Sequence, residues 1–434
     1  MTQRSRKVYR FFLAFFMAAA IVAILILGYK LYYERIPAII RLRVGMEQQI
    51  DLGIPATGRI QKVGSSEQAV RVSGQGQSNI PPESIYIDLS NAVTVKADKV
   101  QQYQMELKLF GFLPFKQVDI EVIQDTALYP VGEPVGIYVK TDGILVIGVG
   151  EFEDETGKSQ APAKYVLQTG DAICKVDGVE VQEKDEFISM VEKSNGEKLL
   201  LTVRRNGEET ELSVQPRKNQ SGIYKLGIWI RDNAQGVGTM TFMDEEGNFG
   251  ALGHGISDVD TGTLFPIKSG TLYRTEIIAI QKGSSGNPGE MTGMIEYSDR
   301  NILGQIIVNS EKGIYGGCSR NFVEELDREA LPIGLKQEIR KGEAQILCNV
   351  DGQAKYYDVE IDEIYLDHDS VNRGMLLTVT DAELLAITGG IIQGMSGSPI
   401  IQDGKLVGAV THVLVNDPTR GYGIFIENML DAAE

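Results

Sequence analysis

The chain predicts a mainly β protein carried behind one N-terminal apolar helix. Short alternating apolar and polar stretches, separated by turn residues, run from about residue 39 to the C-terminus. Forty-eight glycines stand against fourteen prolines with no strict period, which reads as many tight turns rather than a collagenous or low-complexity chain. A single long apolar run lies at the N-terminus. With 434 residues there is room for two to four domains of roughly 100–200 residues each. Hydrophobic content of 43% and charged content of 23% exclude wholesale disorder. A formal net charge of −17 excludes nucleic acid as a main partner, since a polyanion needs a basic face. Cys174, Cys318 and Cys348 are too few and too scattered for a zinc site or a disulfide framework, and read as small buried apolar residues. No metal or cofactor is expected.

Residues 1–37 read as a cytoplasmic basic tail and a transmembrane signal anchor. Arg4, Arg6, Lys7 and Arg10 precede an uncharged run from Phe11 to Tyr29, and Lys30 and Arg35 follow. The run exceeds the roughly 7–15 apolar residues of a signal peptide, and no clean small-x-small cleavage site closes it. It suits the roughly 20 residues that span a bilayer. Basic residues in front of it place the N-terminus in the cytoplasm and the rest of the chain outside.

Residues 38–123 read as a small β-rich domain, with strands such as "SIYIDLS", "AVTVKA", "YQMELKLF" and "VDIEVI". Within it, residues 64–84 are rich in Gly, Ser and Gln and hold a Pro-Pro pair, the composition of a loop. Such exposed stretches are favoured sites of proteolysis, and self-cleavage there would free the chain from its anchor.

Residues 124–218 resemble a PDZ domain of the kind found in secreted bacterial proteases. The specific phrase is L-Q-x-G-D-x-I-x-x-V-D-G, from Leu167 to Gly178. An amphipathic helix "KDEFISMVEKS" follows, then a hairpin about Asn206-Gly207. Such a domain binds an extended peptide by β-augmentation and captures its carboxylate on a turn of N–H groups. That turn is expected at "YPVGEPVGI", with Val131, Gly132, Val135, Gly136 and Ile137 facing the peptide, whether a foreign C-terminus or a segment of the same chain.

Residues 219–434 read as strand, turn, strand throughout, the pattern of a barrel or sandwich pair. Their strongest signal is "GMSGSP", Gly394 to Pro399. A reactive serine needs a tight turn that exposes its Oγ and aims N–H groups at the developing oxyanion, and flanking glycines permit that backbone. Ser396 is the expected nucleophile, and the N–H groups of Gly394 and Ser396 the expected oxyanion donors. The sequence resembles the nucleophile signature of trypsin-like peptidases. The following strand "KLVGAVTH" would then wall the substrate pocket, with Ala409, Thr411 and His412. Serine requires a base. Of the three histidines, His254 in "GALGHGISD" suits that role, whereas His368 sits among acids and reads as a surface residue. The group that would hold the imidazole stays open at this point. Asp381 lies fifteen residues before Ser396, Asp299 has the usual trypsin-like spacing to the histidine, and Asn309 is a third option.

"GHGISDVDTG", "TDAELLAITGGIIQGMSGSPI" and "GAVTHVLVNDPTRGYGIFIENM", joined to a PDZ module and one N-terminal span, resemble the stage IV sporulation protein B family of endospore-forming bacteria over nearly the whole chain. The resemblance implies a trypsin-like double β-barrel serine endopeptidase with His254, Asp381 and Ser396 as its triad, and so ranks Asp381 above Asp299. It also implies a place in the forespore membrane with the catalytic part in the intermembrane space. There such an enzyme cleaves itself and a membrane-bound regulatory protein, which triggers intramembrane processing of a mother-cell sigma factor. The alternative is a catalytically inactive PDZ adaptor of the cell envelope.

Overall fold

The computed structural model describes residues 3–62, 71–73, 85–366 and 371–433. It is mainly β, and the chain divides into two compact units. The first gathers Met1–Thr126, Gly334–Lys341 and Glu363–Gly374, so it takes two distant segments besides the N-terminal β domain expected from the sequence. The second holds the remaining residues.

In the first unit, helix α1 (Gln3–Glu34) is followed by strands β1 (Ile39–Arg43), β2 (Ala56–Lys62), β3 (Ile85–Asp88), β4 (Gln102–Leu109) and β5 (Leu113–Ile123). They form one sheet in the order β1-β5-β4-β2-β3. Strand β4 alternates buried and exposed residues along its length, because one face of the sheet covers a core that includes Ile40, Met105, Leu107 and Val118. Arg43, itself buried, closes a bidentate pair with Glu338 at 2.7 and 2.9 Å, which ties in the segment 334–341. From Tyr9 to Glu34, α1 is long and apolar enough to cross a membrane.

The second unit opens with β6 (Ala127–Pro130) and β7 (Pro134–Val149). Next come β8 (Ala172–Val176), α2 (Lys184–Lys193), β9 (Leu199–Arg205), β10 (Glu208–Val214) and β11 (Ile228–Met243). Strands β12 (Asn248–Ala251), β13 (Ile267–Gln281), β14 (Glu290–Ile295), β15 (Ile302–Ser310) and β16 (Gly313–Cys318) follow. Six of these close a ring, β7-β13-β15-β16-β12-β11, because Pro134–Lys140 of β7 pairs with Thr239–Asn233 of β11 on one side and with β13 on the other. A second closed barrel is built from β17 (Gly342–Asn349), β18 (Ala354–Ile364), β19 (Met375–Val379), β20 (Pro399–Gln402), β21 (Lys405–Leu414) and β22 (Asp417–Phe425). The short helix α3 (Ala382–Thr388) follows β19. Closure leaves neither barrel an open edge.

Two long strands pair across the partition 124–218 and 219–434. Strands β7 and β11 are sixteen residues each, and both run through two domains. Their barrel halves meet as above, while Leu145–Val149 pairs with Arg231–Ile228 and Ile144 pairs with Ile173 of β8. The PDZ domain, with its own core of Ile173, Phe187, Val191, Leu201 and Val203, is therefore inserted between the first and second strands of the first barrel. Two strands that leave a barrel side by side can carry a whole module without breaking a hydrogen-bonded ladder.

Candidate active site

The turn of Ser396, the expected nucleophile, is held by hydrogen bonds from both barrels. Gly394 and Gly397 sit at φ +99° and +98°, conformations that only glycine adopts cheaply. A Cβ on Gly397 would lie 2.0 Å from the carbonyl oxygen of Thr239 and 2.6 Å from the Leu252 nitrogen, so no side chain fits there. The Gly397 N–H donates to Val410 O at 2.7 Å, and Ser398 donates to Met395 O through both its N–H and its hydroxyl. From the first barrel, Thr239 N–H donates to Ser396 O at 2.9 Å and the Thr239 hydroxyl to Gly394 O at 2.8 Å. Among the described residues the main-chain N–H groups of Gly394 and Ser396 donate to no protein acceptor, as oxyanion donors must. The Ser396 hydroxyl donates to Thr411 O at 2.7 Å.

His254 follows β12 through a tight turn. Leu252 and Gly253 both have positive φ, +71° and +69°, and for leucine this is an uncommon, strained conformation. The turn points Gly253 at the second barrel: a Cβ there would meet Ile424 at 2.8 Å, Thr411 at 2.9 Å and Ala409 at 3.6 Å. The same turn donates Leu252 N–H to Thr239 O. His254 is thus brought over β21, with its ring centroid 5.2 Å from that of His412. Its Nδ1 lies 2.9 Å from Gly255 O. A carbonyl only accepts, so Nδ1 carries the proton and Nε2 is left as the basic nitrogen. Burial pushes the imidazole pKa below its ordinary value, against a smaller raising effect from Gly255 O. No hydrogen bond joins His254 to Ser396, whose hydroxyl is turned to Thr411; rotation about the serine Cα–Cβ bond would free it.

Of the three groups considered for holding the imidazole, none bonds to the ring. Asp381 is the N-cap of α3: its Oδ1 accepts from Glu383 and Leu384 N–H, each at 2.9 Å, and its Oδ2 faces Asp358 N–H at 3.4 Å. The structure does not bring it to His254, because β19 delivers it to the start of a helix whose free N–H groups claim its oxygens. Asp299 is exposed in a 3-10 turn. Asn309, at the end of β15, acts one step away. Its amide accepts from Ile256 N–H at 2.8 Å and donates to Ile256 O and Phe265 O, both at 2.9 Å, which clamps the loop that carries His254. Ala409 and Thr411 are buried in the contact with Gly253, while His412 is partly exposed. His368 lies outside the described residues, as does most of the segment 64–84.

The peptide-facing turn expected at Val131, Gly132, Val135, Gly136 and Ile137 is corrected by the structure. Val131, Val135 and Ile137 are core residues of the first barrel. Val131 and Gly132 spend their N–H groups on Thr241 O and Met240 O, and a Cβ on Gly136 would lie 2.6 Å from the Ile295 side chain. A strand edge without a partner among the described residues lies instead at residues 228–230, within "KLGIWI". There a cavity of about 480 Å³ runs between α2, with Phe187, Ile188 and Val191, and the segment from Leu226 to Ile230. Residues 228–231 pair with β7 on one side, and among the described residues no strand takes their other edge. Leu226-Gly227-Ile228 repeats the apolar-Gly-apolar pattern of Val135-Gly136-Ile137, so local sequence favoured neither.

Comparison with known families places the SpoIVB peptidase S55 family on residues 222–430 and the PDZ domain on residues 139–215. Solved structures similar to parts of the chain include the PDZ domain of the SdrC-like protein of Listeria monocytogenes, at 22% identity and a TM-score of 0.17, over 20% of this chain and 87% of that one. The active form of the Rv3671c protease from M. tuberculosis is similar at 14% identity and a TM-score of 0.28, over 46% of this chain and 73% of that one. A variant of the HtrA-type protease AlgW, solved with a decapeptide, is similar at 12% identity and a TM-score of 0.28, over 46% of this chain and 51% of that one. No curated protein matches the chain.

Proposed function

We propose, from the match of residues 222–430 to the SpoIVB peptidase S55 family and of residues 139–215 to the PDZ domain, a membrane-anchored endopeptidase in which Ser396 attacks and His254 is the base. One observation carries this reading: the glycine turn of Ser396 and the strained turn of His254 share Thr239, which donates to Ser396 O and accepts from Leu252 N–H. In the reaction, the Ser396 hydroxyl leaves Thr411 O and gives its proton to His254 Nε2 as Oγ adds to the scissile carbonyl. The N–H groups of Gly394 and Ser396 receive the oxyanion. The imidazolium then protonates the leaving amine, and water repeats the sequence to release the acyl-enzyme. Gly255 O, held by the Asn309 clamp, takes the tautomer-fixing role that a carboxylate has in the usual triad.

The apolar span of α1 serves as the anchor, with the basic tail on the cytoplasmic side. The groove between α2 and residues 226–230 takes an extended peptide end, either a partner's or the chain's own. The resemblance noted from the sequence supports a substrate at the forespore membrane: a membrane-bound regulator of an intramembrane protease, and the chain's own residues 64–84.

The test is fluorophosphonate labelling of the purified full chain beside its Ser396→Ala form, followed by mass spectrometry over time. Labelling at Ser396 and self-fragmentation of the native form alone are expected. An intact, unlabelled native chain that still performs its cellular role would establish the adaptor alternative instead.

A further inference from the structure

The hairpin that joins β4 to β5 presents its apolar residues to solvent. Phe110 is 63% exposed, Phe112 76% and Leu113 43%. Phe110 also holds φ +53°, where a turn ordinarily uses Asn, Asp or Gly. None of the three belongs to the buried core of this sheet.

The position of the hairpin relative to α1 supplies a reason. Reading β5 backward, Asp119 N–H donates to Ala38 O at 2.9 Å. Lys116 Nζ then donates to Ile36 O at 2.6 Å and Tyr33 O at 3.2 Å, and lies 4.2 Å above the Tyr33 ring. Phe115 meets the rings of Tyr33 at 5.9 Å and Tyr29 at 5.0 Å. Each step back along β5 is thus a step down α1 toward its apolar run. Tyr29 is the last uncharged residue of that run before Lys30, and aromatic side chains of this kind mark the membrane–water interface. Phe112 lies three residues beyond Phe115, roughly 10 Å further at about 3.3 Å per residue. That reaches the boundary between headgroups and acyl chains, where amphipathic elements bury their apolar side to about 5–10 Å. Lys108, exposed and opposite Pro114 beside the tip, is placed to meet lipid phosphates.

We infer that the tip Phe110–Leu113 is a second membrane contact, which enters the outer-leaflet interface beside the end of α1 and fixes how the first unit stands on the bilayer. This rests on the reading of α1 as a membrane span. The occupant is lipid because the covalently attached span brings the tip to that depth.

The experiment places a single tryptophan in the full chain, reconstituted in phosphatidylcholine–phosphatidylglycerol vesicles, and measures quenching by lipids brominated along the acyl chain. Trp229 is the only native tryptophan, so the background is Trp229→Phe, checked for folding by its thermal melt. Phe112→Trp is expected to lose at least half its emission in brominated vesicles, with a blue-shifted maximum, and Tyr29→Trp to be quenched as well. Quenching at 29 but not at 112 would overturn the hairpin contact and leave the anchor intact. Quenching at neither site would overturn the anchor reading, and the hairpin contact with it.

Discussion

Thr239 holds the glycine turn of Ser396 in the second barrel from the first: its N–H donates to Ser396 O at 2.9 Å, and its hydroxyl to Gly394 O at 2.8 Å. Thr239 is 2% exposed and lies on β11, the strand whose other end lines the PDZ groove. One strand therefore connects the two candidate binding sites of the second unit.

Replacing Thr239 by Val keeps the shape and both main-chain bonds but removes the donor to Gly394 O. A buried hydrogen bond of this kind contributes on the order of 1 kcal/mol. The oxyanion-side backbone then loses one of its restraints, so kcat is expected to fall about fivefold with KM little changed. Steady-state kinetics on a peptide cut from the chain's own cleavage site would check it. An equal loss in KM alone would assign Thr239 to substrate binding instead.

Asp381 separates two roles by substitution. As the N-cap of α3 it should tolerate Asn, which caps nearly as well, with kcat/KM within about threefold of the native value. Asp381→Ala should cost about 1 kcal/mol of stability, read as a lower melting temperature. Were Asp381 instead the imidazole's partner, Asn would cost about 10⁴-fold in kcat.

The acid limb of the activity profile should report His254. Burial disfavours the imidazolium, so its pKa lies below 6.5 and the base stays neutral at pH values where an exposed histidine is half protonated. The midpoint of the kcat/KM limb is expected below pH 6.5. The linkage has the same sign. The unfolded chain binds this proton more readily, so the site's contribution to stability is present above pH 6.5 and is lost as pH falls. The ring of His412 lies 5.2 Å from that of His254, centroid to centroid, and a His412→Gln profile would isolate the contribution of His254.

Ile188 projects from α2 into the PDZ groove and is 43% exposed, so it can be changed without opening the core. Ile188→Asp puts a charge where an apolar peptide side chain would sit. Peptide affinity should fall by tenfold or more, the equivalent of about 1.5–3 kcal/mol for burying one such side chain. Calorimetric titration with C-terminal peptides measures it. Unchanged affinity would move the binding edge away from residues 226–230.

What the sequence alone determined rests on near neighbours along the chain. The apolar run with its basic flank, the alternation within strands, the Asn206-Gly207 hairpin and the glycines about Ser396 are all local signals, legible because each is a covalent neighbour's constraint on backbone or burial. The mainly β class and the peptidase chemistry followed from them. The cap role of Asp381 was also written locally, in an Asp that precedes Ala-Glu-Leu, yet helix capping and catalysis ask for the same residue type, so type alone could not choose. Tertiary structure decided the rest. Strands β7 and β11 are shared by the PDZ domain and a barrel because two distant segments pair at both of their ends, across a register break between Lys140 and Leu145, and no window of sequence shows which edge a strand will find. For the same reason Val135-Gly136-Ile137 became barrel core while Leu226-Gly227-Ile228 lined a groove. The patterns are alike, and only the partner across the ladder, reached by closing a long loop and burying one face, makes one a wall and the other an edge.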